Sequence, residues 1–218
     1  MPGGIHVQLY LVRHGETDWN RERRIQGSTD IPLNDTGRDQ ARETGRLLAR
    51  RSWDAIYASP LSRAFETARI IADEVGLPAP IEVAELVERN YGAVEGMTGA
   101  EIEASFPGNA EVPGREEREE VVSRVLPALL EIADRHPGQA VLVVGHGGVI
   151  RSVLGAVDPT GTHGTIANGS IHSLRHDDGT FELIAFDDPI AHEVIDGATD
   201  ALNVQNAIEG REPSDSSA

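Results

Sequence analysis

Cysteine is absent from the 218-residue chain, and so is lysine: all 19 basic residues are arginine. The first absence excludes disulfides, thiolate nucleophiles, zinc fingers and iron–sulfur clusters. The second excludes lysine Schiff bases, P-loop lysines and lysine general bases. Aromatic residues make up only 4% of the chain, and positive charge is scarce: 36 acidic against 19 basic side chains give a formal charge of −17. A chain this acidic has no general affinity for nucleic acid or anionic lipid, and any anionic ligand must find a local positive pocket. No apolar stretch approaches the roughly 20 residues of a membrane span. Residues 1–4 (MPGG) lack the charged start and apolar core of a secretory signal, so the expectation is a cytoplasmic protein. What remains, 39% hydrophobic and 25% charged residues, is the composition of a globular fold of one ordinary domain or two small ones.

Residues 5–12 (IHVQLYLV) are apolar and β-branched and stop at Arg13-His14-Gly15, which predicts a buried strand opening on a polar loop. Thr36 is the candidate cap of a helix to about Arg51, with Ala41, Gly45 and Leu48 at helical spacing. Residues 54–59 (DAIYAS) read as a short strand stopped by Pro60, and residues 62–75 as a helix with Gly76 just past its end. Residues 81–86 (IEVAEL) alternate like a strand, and the glycine-rich, acidic middle at 92–120 is expected to form a variable surface over the site. A long amphipathic helix follows over about 117–135, with Val121, Val122, Val125, Leu129 and Ile132 on one face. Pro127 falls inside it, where a kink or a late start is expected. Residues 139–144 (QAVLVV) form an apolar strand ending at Gly145-His146-Gly147-Gly148, with another helix beginning at 149. Residues 170–174 and 180–186 flank Asp177-Asp178-Gly179, a hairpin signal.

Alternating strands and helices predict an α/β fold, a three-layer α/β/α sandwich whose sheet is mainly parallel with an antiparallel edge strand. Residues 1–188 are assigned to that domain. Residues 189–218 read as an acidic C-terminal tail, partly disordered by composition.

Two of the apolar strands end in histidine–glycine loops, at His14 and at His146. In an open parallel sheet, sites form outside the carboxyl ends of the strands, so both loops meet at one crevice. A third strand end brings Arg63 to the same edge, and a fourth, near Glu88 and Arg89, brings a carboxylate. Two imidazoles, at least two guanidiniums, a carboxylate and the N–H groups of helix starts suit a phosphate ester. Arginine forks pair bidentately with phosphate oxygens, and helix N-termini add donors. No Asp/His cluster has metal-ligand spacing, so the arginines take the neutralising role that magnesium has elsewhere. Gly145, Gly147 and Gly148 lack the spacing of a dinucleotide loop. His172 and His176, on one face of a strand, read as structural, and Arg21, Arg23 and Arg24 as a solvated loop face.

These blocks resemble the histidine phosphatase superfamily, in its phosphoglycerate mutase-like branch. The matching residues are Leu11-Val12-Arg13-His14-Gly15-Glu16-Thr17 with Trp19-Asn20, then Arg24-Ile25-Gln26-Gly27, Ser59-Pro60-Leu61-Ser62-Arg63-Ala64 and Glu66-Thr67-Ala68. Glu88, Gly92 and Glu95-Gly96 continue the pattern, and Gly145-His146-Gly147-Gly148-Val149-Ile150-Arg151 and Asn168-Gly169-Ser170 complete it. The resemblance runs from residue 5 to about 186. It implies that His14 attacks phosphorus, that Arg13, Arg63 and His146 bind the non-bridging oxygens, and that Asn20 and the Gly147 N–H complete the phosphate cup. Glu88 would protonate the leaving alkoxide and then deprotonate water. Gln26, Gly27, Arg89 and Tyr91 carry over as substrate-binding positions, with no metal and no cofactor implied.

The implied activity is a metal-independent phosphomonoester hydrolase working through a phosphohistidine on a small phosphorylated metabolite. A 2,3-bisphosphoglycerate-dependent phosphoglycerate mutase is the alternative, and a catalytically silent phosphate-binding or regulatory protein a second one. Mutases of the family carry a longer insertion between the acid and the second histidine, with a lysine and paired arginines over the substrate. Here that stretch is short and acidic, with Arg115 and Arg118 as partial substitutes, which favours the phosphatase. The expected partner is a small-molecule phosphate ester, with neither nucleic acid nor membrane, and self-association as a homodimer left open.

Overall fold

A computed structural model of the chain describes residues 6–108 and 110–188; the tail expected at 189–218 lies outside the described residues. Strands β1 (Val7–Arg13), β2 (Ala55–Ala58), β3 (Ile81–Glu82), β4 (Ala140–Gly145), β5 (Ile171–Asp177) and β6 (Thr180–Ala185) form one sheet in the order β3-β2-β4-β1-β5-β6. The first four run parallel to one another, and β5 and β6 close the sheet as an antiparallel hairpin. The helices are α1 (Asp18–Arg21), α2 (Asp35–Leu48), α3 (Ser62–Val75), α4 (Gly99–Ser105), α5 (Arg118–Arg135) and α6 (Gly147–Val157).

The layering follows from the two-residue period of a strand. Val7, Leu9 and Leu11 of β1 and Val141 and Val143 of β4 point to one face, where they pack with Val125, Leu129 and Ile132 of α5 and Val149, Ile150 and Val153 of α6. Tyr10 and Val12 of β1 and Leu142 and Val144 of β4 point to the other, against Leu47 and Leu48 of α2 and Ala64, Ala68 and Ile71 of α3. Both faces of the central strands are therefore buried, which is why their sequences are almost uninterrupted apolar runs. The result is the expected three-layer sandwich.

Three local expectations need correction. The helix expected to start at Thr36 is capped by Asn34: its side-chain oxygen accepts the Gly37 N–H at 2.8 Å while its amide donates to Glu16 at 2.8 Å. The asparagine thus serves the helix and the loop at once, which Thr36, inside the first turn, does not. The strand expected over 81–86 is two residues long, because only Tyr57 and Ala58 of the short β2 pair with it. The chain then tightens into a 3-10 turn at Ala84–Leu86, and Leu86 buries in the α5/α6 core. Glu88 follows that turn instead of ending a strand. Finally, the late start expected at Pro127 does not occur: α5 begins at Arg118 and continues through Pro127. Pro127 and Ser123, whose carbonyl loses its N–H partner, both lie on the exposed face, where water can satisfy that carbonyl.

The loop after β1 is fixed by one close approach. A Cβ on Gly15 would overlap the Gly37 carbonyl, and one on Gly37 would overlap the backbone of Glu16. The start of α2 therefore rests directly on the loop that carries His14.

Candidate active site

β1 and β4 are adjacent and parallel, with Arg13 in register with Gly145, so the next residue of each strand, His14 and His146, emerges at the same edge. Their rings lie 5.3 Å apart between centroids at an interplanar angle of 61°. His14 Nδ1 is 2.7 Å from the Gly15 carbonyl oxygen. A carbonyl only accepts, so Nδ1 carries the proton and Nε2 is left with its lone pair. The backbone around it is held on both sides: Asn168 donates to the His14 carbonyl at 2.9 Å, and Thr67 Oγ1 accepts the Gly15 N–H at 3.1 Å.

His146 is fixed differently. Its Nε2 is 2.7 Å from Ser59 Oγ, which also accepts the Leu61 N–H at 3.3 Å. We assign His146 the tautomer in which the Ser59 hydroxyl donates to Nε2 and Nδ1 carries the ring proton. Among the described residues Nδ1 has no acceptor.

Two guanidiniums flank the imidazoles. Arg13 donates to the Ile166 carbonyl at 2.5 Å and lies against the start of α6, where a Cβ on Gly147 would sit 3.4 Å from its Nε. Arg63 is in the first turn of α3, whose Ser62 N–H and hydroxyl both donate to Asp30 at 2.8 Å. Arg63 itself is fully buried and donates to the carbonyls of Thr29 at 2.9 Å and Gly27 at 2.7 Å. Burial lowers its pKa, and the carboxylates of Glu88, Asp30 and Glu95 oppose that shift from a distance. Burial first, then the charges of Arg63 and Arg13, holds His14 well below its usual 6.5; His146 is lowered in the same way, with His14 as an added cause. Both rings are neutral in the resting site.

The amides complete the cup. Asn20 Oδ1 accepts from the Thr17 N–H at 3.1 Å and from Asn168 at 3.3 Å, and Gln26 Oε1 accepts from Thr17 Oγ1 at 2.8 Å. Each amide thus commits its oxygen to the protein and keeps its NH2 for something else. Asn20 Nδ2, Gln26 Nε2, Arg63 Nε and His146 Nδ1 are all buried donors without an acceptor among the described residues. An unmet buried donor costs about 1–3 kcal/mol, and more when charged. Four of them on segments gathered around His14 and His146 are matched by an oxyanion.

Glu88 reaches the first turn of α6. Its Oε2 accepts the Gly148 N–H at 3.1 Å, and its Oε1 accepts the N–H groups of Val149 at 3.0 Å and Arg89 at 2.8 Å. That leaves the Gly147 N–H, the first of the helix, for an anion beside it. A cleft of about 540 Å³ opens at Glu88, lined also by Ser28, Asn90, Arg115, Glu116 and Arg124. Arg124 is committed to Glu116 through two bonds of 2.7 and 3.1 Å.

The remaining positions singled out in the sequence are in other surroundings. Gly27 contributes its carbonyl to Arg63 from a backbone φ of +57°. Arg89 and Tyr91 are fully buried behind the cleft and do not line it: the guanidinium lies 5.4 Å from the Tyr91 ring centroid, and Arg89 Nε donates to the Glu116 carbonyl at 2.7 Å. Tyr91 packs with Ile25, Val94 and Val112. Arg24 is not part of a solvated face; it donates to the Gly96 carbonyl at 2.7 Å and pairs with Glu22 and Glu101, while Arg21 and Arg23 are exposed. His172 is structural: its Nδ1 accepts the Asp187 N–H and its Nε2 lies against Ser170 Oγ, both at 3.0 Å. Ser59, Thr67 and Asn168, which orient the histidines, lie inside matched sequence blocks but carry no signal of their partners. Among the described residues no group of three or more His, Asp or Glu side chains is arranged to hold a metal ion, and no helix is long and apolar enough to cross a membrane.

Such a cup fits a tetrahedral dianion, which makes this an α/β phosphoryl-binding protein. Its lineage is shown by the sequence as well: residues 9–189 match the histidine phosphatase superfamily (branch 1), and the chain belongs to that family. Among its relatives, PhoE of Bacillus subtilis (strain 168), described as an uncharacterized phosphatase, is 46% identical over 144 residues, covering 66% of this chain and 74% of that protein. The 2,3-bisphosphoglycerate-dependent phosphoglycerate mutase 2 of Gloeobacter violaceus is 36% identical over 166 residues, or 69% of this chain and 75% of that one. A mycobacterial glucosyl-3-phosphoglycerate phosphatase solved with VO3 superposes with a TM-score of 0.76 at 29% identity, covering 83% of this chain and 98% of that one.

Proposed function

We propose that this chain is a metal-independent phosphomonoesterase that works through a phosphohistidine at His14 on a small phosphorylated metabolite of the cytoplasm. The observation that carries the proposal is the hydrogen bond from His14 Nδ1 to the Gly15 carbonyl, which presents an unprotonated Nε2 in a buried cup of unmet donors. Nε2 attacks phosphorus, and the ester oxygen departs from the opposite side with the bonding electrons. Arg13, Arg63, His146, Asn20, Gln26 and the Gly147 N–H hold the three non-bridging oxygens as charge spreads over them. Glu88, as the carboxylic acid, gives its proton to the leaving alkoxide. The resulting carboxylate takes a proton from water, whose oxygen attacks phosphorus and breaks the P–N bond, releasing inorganic phosphate and restoring His14 and Glu88.

The runner-up is a mutase, which returns the phosphoryl group to its product and must exclude water while gripping a carboxylated substrate. The cleft at Glu88 favours hydrolysis: it is open enough to admit water, and of the two arginines expected as partial clamps Arg115 lines it while Arg118 does not. Arg89 and Tyr91 support the cleft from behind in this reading and act on the substrate only indirectly. The test is to give purified protein in EDTA a panel of phosphomonoesters, with 3-phosphoglycerate included, with and without 2,3-bisphosphoglycerate. Phosphate release without metal is the expected result. Bisphosphoglycerate-dependent formation of 2-phosphoglycerate with little free phosphate would make the chain a mutase. Tight phosphate binding with no turnover would make it a silent binding protein.

A further inference from the structure

We propose that Glu95 is a positioning residue for Arg63, acting through the peptide group between Gly27 and Ser28; the proposal rests on the phosphoryl-transfer reading above. Glu95 is not used in that chemistry, yet its carboxylate collects donors from two segments. Oε1 accepts the Ser28 N–H at 2.9 Å, the Ser28 hydroxyl at 3.2 Å and the Tyr91 N–H at 3.0 Å. Oε2 accepts the Thr29 N–H at 3.0 Å and the Thr29 hydroxyl at 2.5 Å. Among the described residues no arginine pairs with it.

The geometry runs in series. The Ser28 N–H and the Gly27 carbonyl belong to one planar peptide group. Its N–H is held by Glu95 and its oxygen accepts Arg63 Nη2 at 2.7 Å. A hydrogen bond from the N–H to a carboxylate also polarises the carbonyl at the other end of the same group, which strengthens the bond to the guanidinium. One residue on, Thr29 adds a second link through the residue itself: its N–H and hydroxyl bind Glu95, and its carbonyl, in the next peptide group, accepts Arg63 Nη1 at 2.9 Å. These two carbonyls are the acceptors that orient the guanidinium and leave its Nε for the phosphoryl oxygen. Gly27 completes the fit: a Cβ there would overlap Glu95 Oε1, and the φ of +57° is a conformation that L side chains rarely adopt. A plain loop staple would require neither the shared peptide group nor this seat.

Every described partner of Glu95 is a donor, so Glu95→Gln keeps the shape but turns an NH2 against an N–H whichever way the amide lies. The experiment measures kcat/KM for p-nitrophenyl phosphate and the calorimetric Kd for inorganic phosphate in wild type, Glu95→Gln, Arg63→Ala and the double variant. A thermal melt for each reports folding. Glu95→Gln is expected to lower kcat/KM and to weaken phosphate binding by roughly 10–100-fold. In the Arg63→Ala background the same change should add less than about twofold, because residues acting through one another are not additive. Glu101→Gln, a neighbouring cap without a path to Arg63, should leave both quantities within about twofold. If Glu95→Gln does not fold, Thr29→Val removes the 2.5 Å donor and keeps the backbone bonds. It should then show a loss of about threefold, likewise absent without Arg63. Unchanged phosphate binding in Glu95→Gln, or a loss of equal size with and without Arg63, overturns the proposal alone. A wild type that neither binds phosphate nor turns over an ester overturns the reading on which it rests.

Discussion

His14 and His146 stand 5.3 Å apart on neighbouring parallel strands, both buried, both beside the same two guanidiniums. Two imidazolium ions could not share that space with Arg13 and Arg63. The arrangement keeps both rings neutral, as the proposed roles of nucleophile for His14 and hydrogen-bond donor for His146 require.

The sign of the pH dependence follows. His14 is lowered well below 6.5 by burial and then by Arg63 and Arg13, so its lone pair survives on the acid side of 6.5. Arg63→Ala removes a positive charge and lets His14 titrate at higher pH, so the acid limb of kcat/KM moves up. Arg63→Lys keeps the charge and leaves the limb in place. An ammonium, however, cannot span the Thr29 and Gly27 carbonyls and still present a guanidinium N–H, so the rate should fall by about 10²–10³. The substrate's own ionisation is common to all three proteins, and their comparison removes it. An unshifted limb in the alanine variant would contradict the electrostatic account of His14.

His14→Asn retains a polar side chain at the end of β1 but has no ring nitrogen to phosphorylate. Turnover should drop to below roughly one part in 10⁴ of wild type. Rapid acid-free quenching with a labelled substrate should trap a phosphoramidate on the wild-type protein and none on the variant. Label at another residue would remove His14 from the mechanism.

What was legible beforehand is instructive at particular residues. The apolar run into Arg13-His14-Gly15, the helix Ser62–Val75 closed by Gly76 at φ +75°, and the Asp178-Gly179 turn, with both residues at positive φ, are local signals, and each fell where the sequence put it. The partnerships at the site were not legible, because they join residues far apart in the chain. Nothing near Ser59 announces that its hydroxyl orients His146. Nothing near Glu88 says that it caps α6, and nothing near Glu95 says that residues 27–29 hang from it. The alternation at 81–86 was a true apolar pattern that a 3-10 turn satisfied as well as a strand, since β2 had only two residues left to pair.

Glu88→Gln separates proton donation from packing. Both Glu88 oxygens accept backbone N–H groups, so the amide disturbs the start of α6 and slows every substrate somewhat. Loss of the proton donor acts only where the leaving group needs a proton. An alkyl phosphate should lose about 10²–10⁴ in kcat, whereas p-nitrophenyl phosphate, whose leaving group departs as a stable anion, should lose far less. Equal losses on the two substrates would assign Glu88 to structure.

His172 provides a stability prediction apart from the site. Burial pushes its pKa down to about 3, with His163 and Arg151 adding to the shift, while its Nδ1 accepts the Asp187 N–H. The unfolded chain binds a proton near 6.5 and the folded one does not until about pH 3. Between those values the unfolded state therefore carries the extra proton. The contribution of the neutral ring is fully present above 6.5, then is lost as pH falls, at about 1.4 kcal/mol per pH unit for each such histidine. His14 and His146 steepen the same decline, since both are lowered for the same reason. His172→Asn keeps an acceptor for the Asp187 N–H but cannot take up the proton, so its stability should fall less steeply with acid than wild type, by one histidine's share. Urea midpoints measured from pH 7 to 5 read the difference directly. Parallel lines for the two proteins would mean that His172 is already protonated in the fold.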